Sequence, residues 1–263
     1  MKLHLAAAAA LVALTAVEPT MAAELPLPVK ALPPAPWYDW TGFYLGLNGG
    51  YSWGRSSNDV TSAGLTPFSA SQDVDGWLGG GQIGYNWQVS HNWLLGLEAD
   101  FQGTGQGGSA ALPTIITGGF PFAPGTIITG SLTQRLPWFG TARMRLGVEP
   151  ADRWLLYATG GLAYGEVDTK ENLTVRPVPG VPTSGTASAS NTQAGWTVGV
   201  GTEWAMTPQW SAKLEYLYVD LGTFTDTFTG IGLPTFTLSS HFTDNVFRAG
   251  INYHFGGPIA VRD

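Results

Sequence analysis

The feature that most constrains this chain is a period-two alternation of side chains, repeated in eight segments, that gathers ionisable residues onto one face. Successive side chains of a β-strand point to opposite sides, so the alternation divides each segment into two faces. In 93–102, Trp93, Leu95, Leu97, Ala99 and Phe101 alternate with Glu98, Asp100 and Gln102. In 138–149, Trp138, Ala142, Met144, Leu146 and Val148 alternate with a set containing Arg143 and Arg145. Segment 192–204 sets Ala194, Trp196, Val198, Val200 and Trp204 against Thr197 and Glu203. Segment 210–221 sets Trp210, Ala212, Leu214, Tyr216 and Tyr218 against Lys213 and Glu215, and 244–255 sets Phe247, Ala249, Ile251, Tyr253 and Phe255 against Arg248, Asn252 and His254. Segments 43–53 and 77–89 alternate without charge, and 154–166 is apolar on both faces. A Lys or Arg facing the middle of a bilayer costs roughly 2–4 kcal/mol, and the apolar sets just named carry none. The partition is that of a barrel with lipid outside and a polar lumen inside; a soluble ligand-binding barrel has the opposite polarity.

The connections predict how the strands run. Short ones at 89–92, 149–153 and 205–209 alternate with long ones at 54–75, 103–132, 167–191 and 222–243, the order of turns and loops in an all-β, eight-stranded antiparallel up-and-down transmembrane β-barrel. An even strand count places both termini on the turn side, the periplasm. Tryptophan prefers the membrane interface, so Trp87, Trp93, Trp154, Trp204 and Trp210, which flank the short turns, are expected to form a girdle at that rim. Glu98, Asp100, Glu203 and Glu215 share the inner faces with Arg143, Arg145, Lys213 and Arg248. An eight-stranded lumen is just filled by side chains, so four acids and four bases are expected to pair across it and plug it.

The N-terminus indicates an exported protein. Lys2 precedes an apolar run over 3–17, and Thr20-Met21-Ala22-Ala23 supplies small residues for cleavage after Ala22 or Ala23, so residues 1–23 read as a signal peptide. The run is shorter than the ~20 residues a spanning helix needs. Residues 24–36 hold five prolines and read as an extended linker, leaving 37–263 as the barrel domain. The net charge of −7 and the lack of any Lys/Arg cluster argue against nucleic-acid binding. The chain has no cysteine, which excludes disulfides and thiolate chemistry.

Few residues suggest catalysis. His241, beside Ser239 and Ser240 and near Asp244, is the one plausible base for a lipid hydrolase, a constellation that needs base, nucleophile and carboxylate within reach of one another. Gly103-Thr-Gly105-Gln-Gly107-Gly108 lacks the helix and Lys-Ser/Thr of a phosphate loop and reads as a flexible loop. Asn172-Leu173-Thr174 matches a glycosylation acceptor only in a glycosylating host. No cofactor, metal or enzymatic activity is expected.

Tyr38-Asp39-Trp40-Thr41-Gly42-Phe43-Tyr44-Leu45-Gly46, then Gly49-Gly50-Tyr51-Ser52-Trp53-Gly54, and the ending Phe247-Arg248-Ala249-Gly250-Ile251-Asn252-Tyr253-His254-Phe255 resemble the small alphaproteobacterial outer-membrane proteins that share the OmpA-type barrel and are loosely grouped as a porin family. The resemblance covers about residues 37 to 255. It implies location in the outer membrane and roles in envelope integrity and surface exposure, with outer-membrane lipids and lipopolysaccharide, the outer-membrane assembly machinery and surface ligands reached through long loops as partners. A peptidoglycan tether of the kind full-length OmpA has is not expected of the 37–263 barrel domain, and Phe255 is followed by Gly256–Asp263 where many such barrels end on the aromatic. A structural and surface barrel is the leading reading, a narrow channel for small solutes the alternative, and a lipid hydrolase the third.

Overall fold

A computed structural model describes residues 37–62, 67–119, 123–228 and 235–255. The expected signal peptide over 1–23, the expected linker over 24–36 and Gly256–Asp263 lie outside these residues. Eight strands follow one another: β1 (Gly42–Ser62), β2 (Phe68–Gln88), β3 (Trp93–Ile116), β4 (Ile127–Ala151), β5 (Trp154–Arg176), β6 (Thr183–Ala205), β7 (Trp210–Phe228) and β8 (Phe236–His254). Each pairs antiparallel with its sequence neighbour, and β1 pairs with β8 from Tyr44↔His254 to Ser62↔Phe236, closing the barrel. Closure leaves no edge strand with unpaired backbone groups, the condition for a sheet to cross lipid.

The strands are longer than the apolar alternation indicates. They run from 19 to 25 residues, whereas a tilted crossing takes about 9–11. Most of what reads as long loops is therefore ladder: β3 and β4 stay paired out to Ile116↔Ile127, and β5 and β6 out to Val175↔Thr183. The reason lies in the outer face of these extensions, which carries Ser, Thr, Asn and charged residues and gives no apolar period to detect, while the backbone hydrogen bonds and β-branched residues still favour strand. Gly103–Gly108 is likewise strand, with a register shift between Gly103 and Gln106, and Asn172–Thr174 lies within β5. Pro137 does not start β4; it sits at the register shift between Arg135 and Trp138, where a missing N–H breaks no ladder bond. A further shift, between Asp220 and Thr223, contains Gly222 at φ 74° and exchanges the faces of β7: Leu217, Val219 and Leu221 are buried before it, Phe224 and Asp226 beyond it.

The outer wall carries two aromatic bands. Trp87, Trp93, Trp154, Trp204 and Trp210 are each 43–51% exposed at the turn end, with Trp154 stacked on Trp204 at 6.3 Å and Trp210 edge-on to Tyr253 at 5.1 Å. The second band, which the turn signals did not reveal, contains Trp53, Trp77, Trp138 and Trp196 with Tyr51, Phe101, Tyr164, Tyr216 and Tyr218. Phe43 and Trp53, or Trp77 and Trp87, stand ten residues apart on one strand, which at strand rise and barrel tilt separates the bands by about 25 Å. Between the bands the described outer face holds Leu, Ile, Val, Met, Ala and Gly together with Thr202, and no charge. Outward Arg55, Asp73, Asp75, Arg135, Glu166, Asp168, Lys170 and Asp220 all lie at or beyond the second band.

Inside, the lumen is layered. At the turn end Tyr38 and Trp40 pack on Leu94, Leu155, Tyr157 and Ala205. Toward the loops, Val74, Leu136, Phe139, Leu217, Phe242 and Val246 belong to one apolar cluster, and Val60, Leu132 and Leu238 form another. These apolar layers explain why 154–166 is apolar on both faces: its inner face supplies Leu155 and Tyr157 to one layer and Ala163 to another. Where a ring must lie flat across a narrow lumen, its cross-strand partner is glycine. Tyr44 pairs with Gly84 and Tyr157 with Gly201, and a Cβ at those glycines would stand 2.3 and 2.4 Å from the ring. Gly84→Val and Gly201→Val should each destabilise the barrel by about 1–3 kcal/mol, measured as a lowered urea midpoint in detergent, whereas Gly118→Ala, with nothing within 4 Å, should leave it unchanged.

Candidate functional site

Between the turn-end layer and the larger apolar cluster, the inner faces of β3, β4, β6, β7 and β8 bring eight ionisable side chains into one network. Glu98 and Asp100 come from β3, Arg143 and Arg145 from β4, Glu203 from β6, Lys213 and Glu215 from β7, and Arg248 from β8. Each pair is spaced two residues apart because both members must point inward. All eight side chains have 0% exposure.

Glu98 is the hub. It accepts from Tyr44 Oη at 2.7 Å, from Lys213 Nζ at 3.0 Å to each oxygen, from Arg145 Nη1 at 3.4 Å and from Arg143 Nη2. Asp100 accepts from Thr141 Oγ1 at 2.7 Å, Arg248 Nη2 at 2.8 Å and Arg143 Nη2 at 2.9 Å. Glu215 accepts from Arg248 Nε at 2.7 Å, Tyr157 Oη at 3.0 Å and Arg143 Nη1 at 3.1 Å. Glu203 holds the turn-ward side, accepting from Arg145 Nη2 at 2.8 Å, Asn252 Nδ2 at 2.6 Å and Ser211 Oγ. The Arg145 guanidinium also lies 3.9 Å from the centroid of the Tyr157 ring. Four carboxylates against four cations leave no net formal charge, which is what lets such groups leave water together.

Beyond the network, Glu149 is buried at the turn end, where its Oε2 accepts from Gln88 Nε2 at 3.0 Å; other interior charges lie toward the loops. Among the described residues the inner face there presents Asp244, Glu171 and Asp226 and no base. Burial, with repulsion from Asp226, pushes the Glu171 carboxyl up from 4.5 to about 7.

The hydrolase candidates are not assembled. Ser240 and Asp244 point into the lumen, where Ser240 Oγ donates to Asn58 Oδ1 at 2.6 Å, while His241 faces outward with its Nδ1 3.1 Å from Thr223 Oγ1 and its Nε2 3.7 Å from Asp220. Adjacent residues of a strand cannot share a face, which separates Ser240 from His241; Ser239 does share the outward face of His241, but the His241 ring is engaged with Thr223 and Asp220 and no hydrogen bond joins it to Ser239 among the described residues. Among the described residues no three His, Asp or Glu side chains converge as a metal site would require.

Two predictions follow from these charges. Arg248→Met leaves Asp100 and Glu215 short of a buried partner and should cost about 3–5 kcal/mol, seen as a lowered urea midpoint, with Arg248→Met/Asp100→Asn recovering part of the loss. A carboxyl that holds its proton to about pH 7 in the barrel but to 4.5 when unfolded favours the folded state below 4.5, an advantage lost as pH rises to about 7. Glu171→Gln should therefore flatten the fall in melting temperature between those pH values.

Comparison with known proteins places the architecture. The family model for the outer membrane protein beta-barrel domain matches residues 7–255. The "31 kDa outer-membrane immunogenic protein" of Brucella melitensis biotype 1 is 36% identical over 228 residues, covering 84% of this chain and 86% of that protein. The "22 kDa outer membrane protein" of Rhizobium leguminosarum bv. viciae is 27% identical, over 85% of this chain and 82% of that one. Among solved structures, the outer membrane protein OprG of Pseudomonas aeruginosa superposes with a TM-score of 0.52 at 12% identity, covering 84% of this chain and 99% of that one, a likeness of fold alone. A closed eight-stranded wall, an uncharged band between two aromatic girdles and this match over nearly the whole chain make it a member of the outer membrane protein β-barrel family, homologous to outer-membrane proteins of Brucella and Rhizobium.

Proposed function

We propose that this protein is a structural and surface barrel of the outer membrane whose lumen is sealed rather than conducting. The observation that carries the reading is the network of eight ionisable side chains with 0% exposure, tied by hydrogen bonds across the barrel's width. A water-filled pore leaves its lining charges solvated; here every carboxylate is bonded to a buried cation, Asp100 Oδ1, Arg143 Nε, Arg145 Nε and Arg248 Nη1 being the network atoms without a partner among the described residues, and the apolar cluster of Phe139, Leu217 and Phe242 lies loop-ward of them.

In this reading the turn end and both termini face the periplasm, and the strand extensions stand outside the cell. The uncharged band takes the lipid chains, and the outward Arg55, Arg135 and Lys170 beyond the second girdle suit the phosphates of lipopolysaccharide. The outer-membrane assembly machinery is the partner at insertion, and the long upper strands are the surface offered to external ligands. The Brucella relative is by its name immunogenic, which fits a barrel seen from outside. This reading has no enzymatic role, which is supported by His241 facing outward while Ser240 and Asp244 face the lumen.

Purified, heat-modifiable protein in planar bilayers should show no stable conductance steps at neutral pH. Large, long-lived steps from the folded form would instead establish the narrow-channel reading.

A further inference from the structure

The segment Tyr38-Asp39-Trp40-Thr41, prominent in the sequence, precedes the first strand and takes no part in the charge network. Its two rings are nonetheless buried, with Trp40 1% and Tyr38 5% exposed, while Asp39 and Thr41 between and after them are half-buried. The two rings meet edge-on at 4.8 Å and cover a floor of inward Leu94, Leu155, Tyr157 and Ala205. Trp40 also lies edge-on to His254 at 5.7 Å.

Polar contacts tie the segment to all three short turns. The Trp40 amide donates to Gln88 Oε1 at 2.9 Å, and the Gln88 amide returns a bond to Thr41 Oγ1 at 3.1 Å. Gln88 in turn donates to His91 O within the first turn, and Trp37 lies edge-on to the His91 ring at 5.2 Å. The Tyr38 amide donates to Asp152 Oδ1 at 3.2 Å in the second turn, and Tyr38 Oη donates to Pro208 O at 3.1 Å in the third. Thr41 N donates to Asp39 Oδ1 at 2.8 Å and holds the segment's own bend. A tail merely leading into β1 needs none of these contacts. Two large rings seated in the barrel mouth, with bonds to every short turn around it, describe a cork.

We propose that residues 37–41 are a built-in stopper that closes the turn-side mouth of the lumen and laces its three turns together. Solutes on that side are thereby kept from the polar residues just above it. Asn86 marks that protected space: it is fully buried on the inner face, one step turn-ward of Glu98 in the ladder, and neither atom of its amide has a partner among the described residues. The charge network blocks conduction through the barrel, while the stopper controls entry from one end, so the two closures are separable.

Because the chain contains no cysteine, Asn86→Cys introduces a single reporter thiol. Its reaction with a small charged maleimide is to be followed in the folded, full-length mature protein, with the folded state scored by heat-modifiable migration. With Tyr38 and Trp40 intact, labelling should be slow. Adding Tyr38→Ala and Trp40→Ala should speed it at least about tenfold, since truncating buried rings favours local opening, whereas Trp40→Phe, which still fills the mouth, should keep it slow. Equal rates with and without the two rings would overturn the stopper, even if the protein stays non-conducting in planar bilayers. Should the double alanine variant give no folded band, Gln88→Ala is scored in its place: it leaves both rings but removes the acceptor of the Trp40 amide, along with the side chain's bonds to His91 O and Glu149 Oε2; faster labelling supports the stopper, and an unchanged rate rejects it.

Discussion

The whole structure depends on the pairing of β1 with β8. In lipid a backbone N–H or C=O without a partner costs several kcal/mol, with no water to relieve it. A sheet can cross a membrane only if its last strand returns to its first, and here that return runs through nineteen residue pairs, from Tyr44↔His254 to Ser62↔Phe236. Closing with eight strands fixes a narrow lumen. Everything inside is then a problem of filling that space: rings lie over cross-strand glycines, apolar layers occupy part of its length, and between them the remaining volume holds charge.

That charge is tolerable only as a balanced set. A lone buried carboxylate or guanidinium carries a desolvation cost that its neighbours must offset, and each acid in the network meets at least one cation and a neutral hydroxyl or amide donor. Taking away one member exposes the others to that cost, so the network behaves as a unit. It also joins strands that are not neighbours: Glu98 on β3 meets Lys213 on β7, and Asp100 meets Arg248 on β8. The hydrogen-bonded wall sets the circumference, while these bonds brace it across the diameter. The Tyr38–Trp40 segment does comparable work at the mouth, where the wall has only turns.

Much of this was legible in the residues. The eight network members fall on inner faces by parity alone, since period two leaves a strand side chain only two directions, and the Trp87–Trp93 and Trp204–Trp210 pairs mark turns because each flanks a short polar break. The second aromatic band was present as a spacing, Phe43 to Trp53 and Trp77 to Trp87, that corresponds to one crossing of the membrane. It escapes a reading centred on turns. The upper strand extensions were not legible, because a strand with water on its outer face shows no apolar alternation there; Ser184 to Asn191 reads as loop yet lies in β6, held by its ladder to β5.

The sequence by itself determined what faces lipid and what does not, and through this the fold class, because transfer of a charge into the bilayer is penalised residue by residue wherever it occurs. It did not determine which acid meets which base. That choice belongs to strand register and barrel shear, which decide the height at which Glu98, Lys213 and Arg143 meet across the lumen. Nor could it show that Tyr38 and Trp40 turn back into the mouth: a short aromatic segment has no period of its own, and its place is set by the apolar floor of Leu94, Leu155 and Ala205, which exists only once β3, β5 and β6 have closed around it.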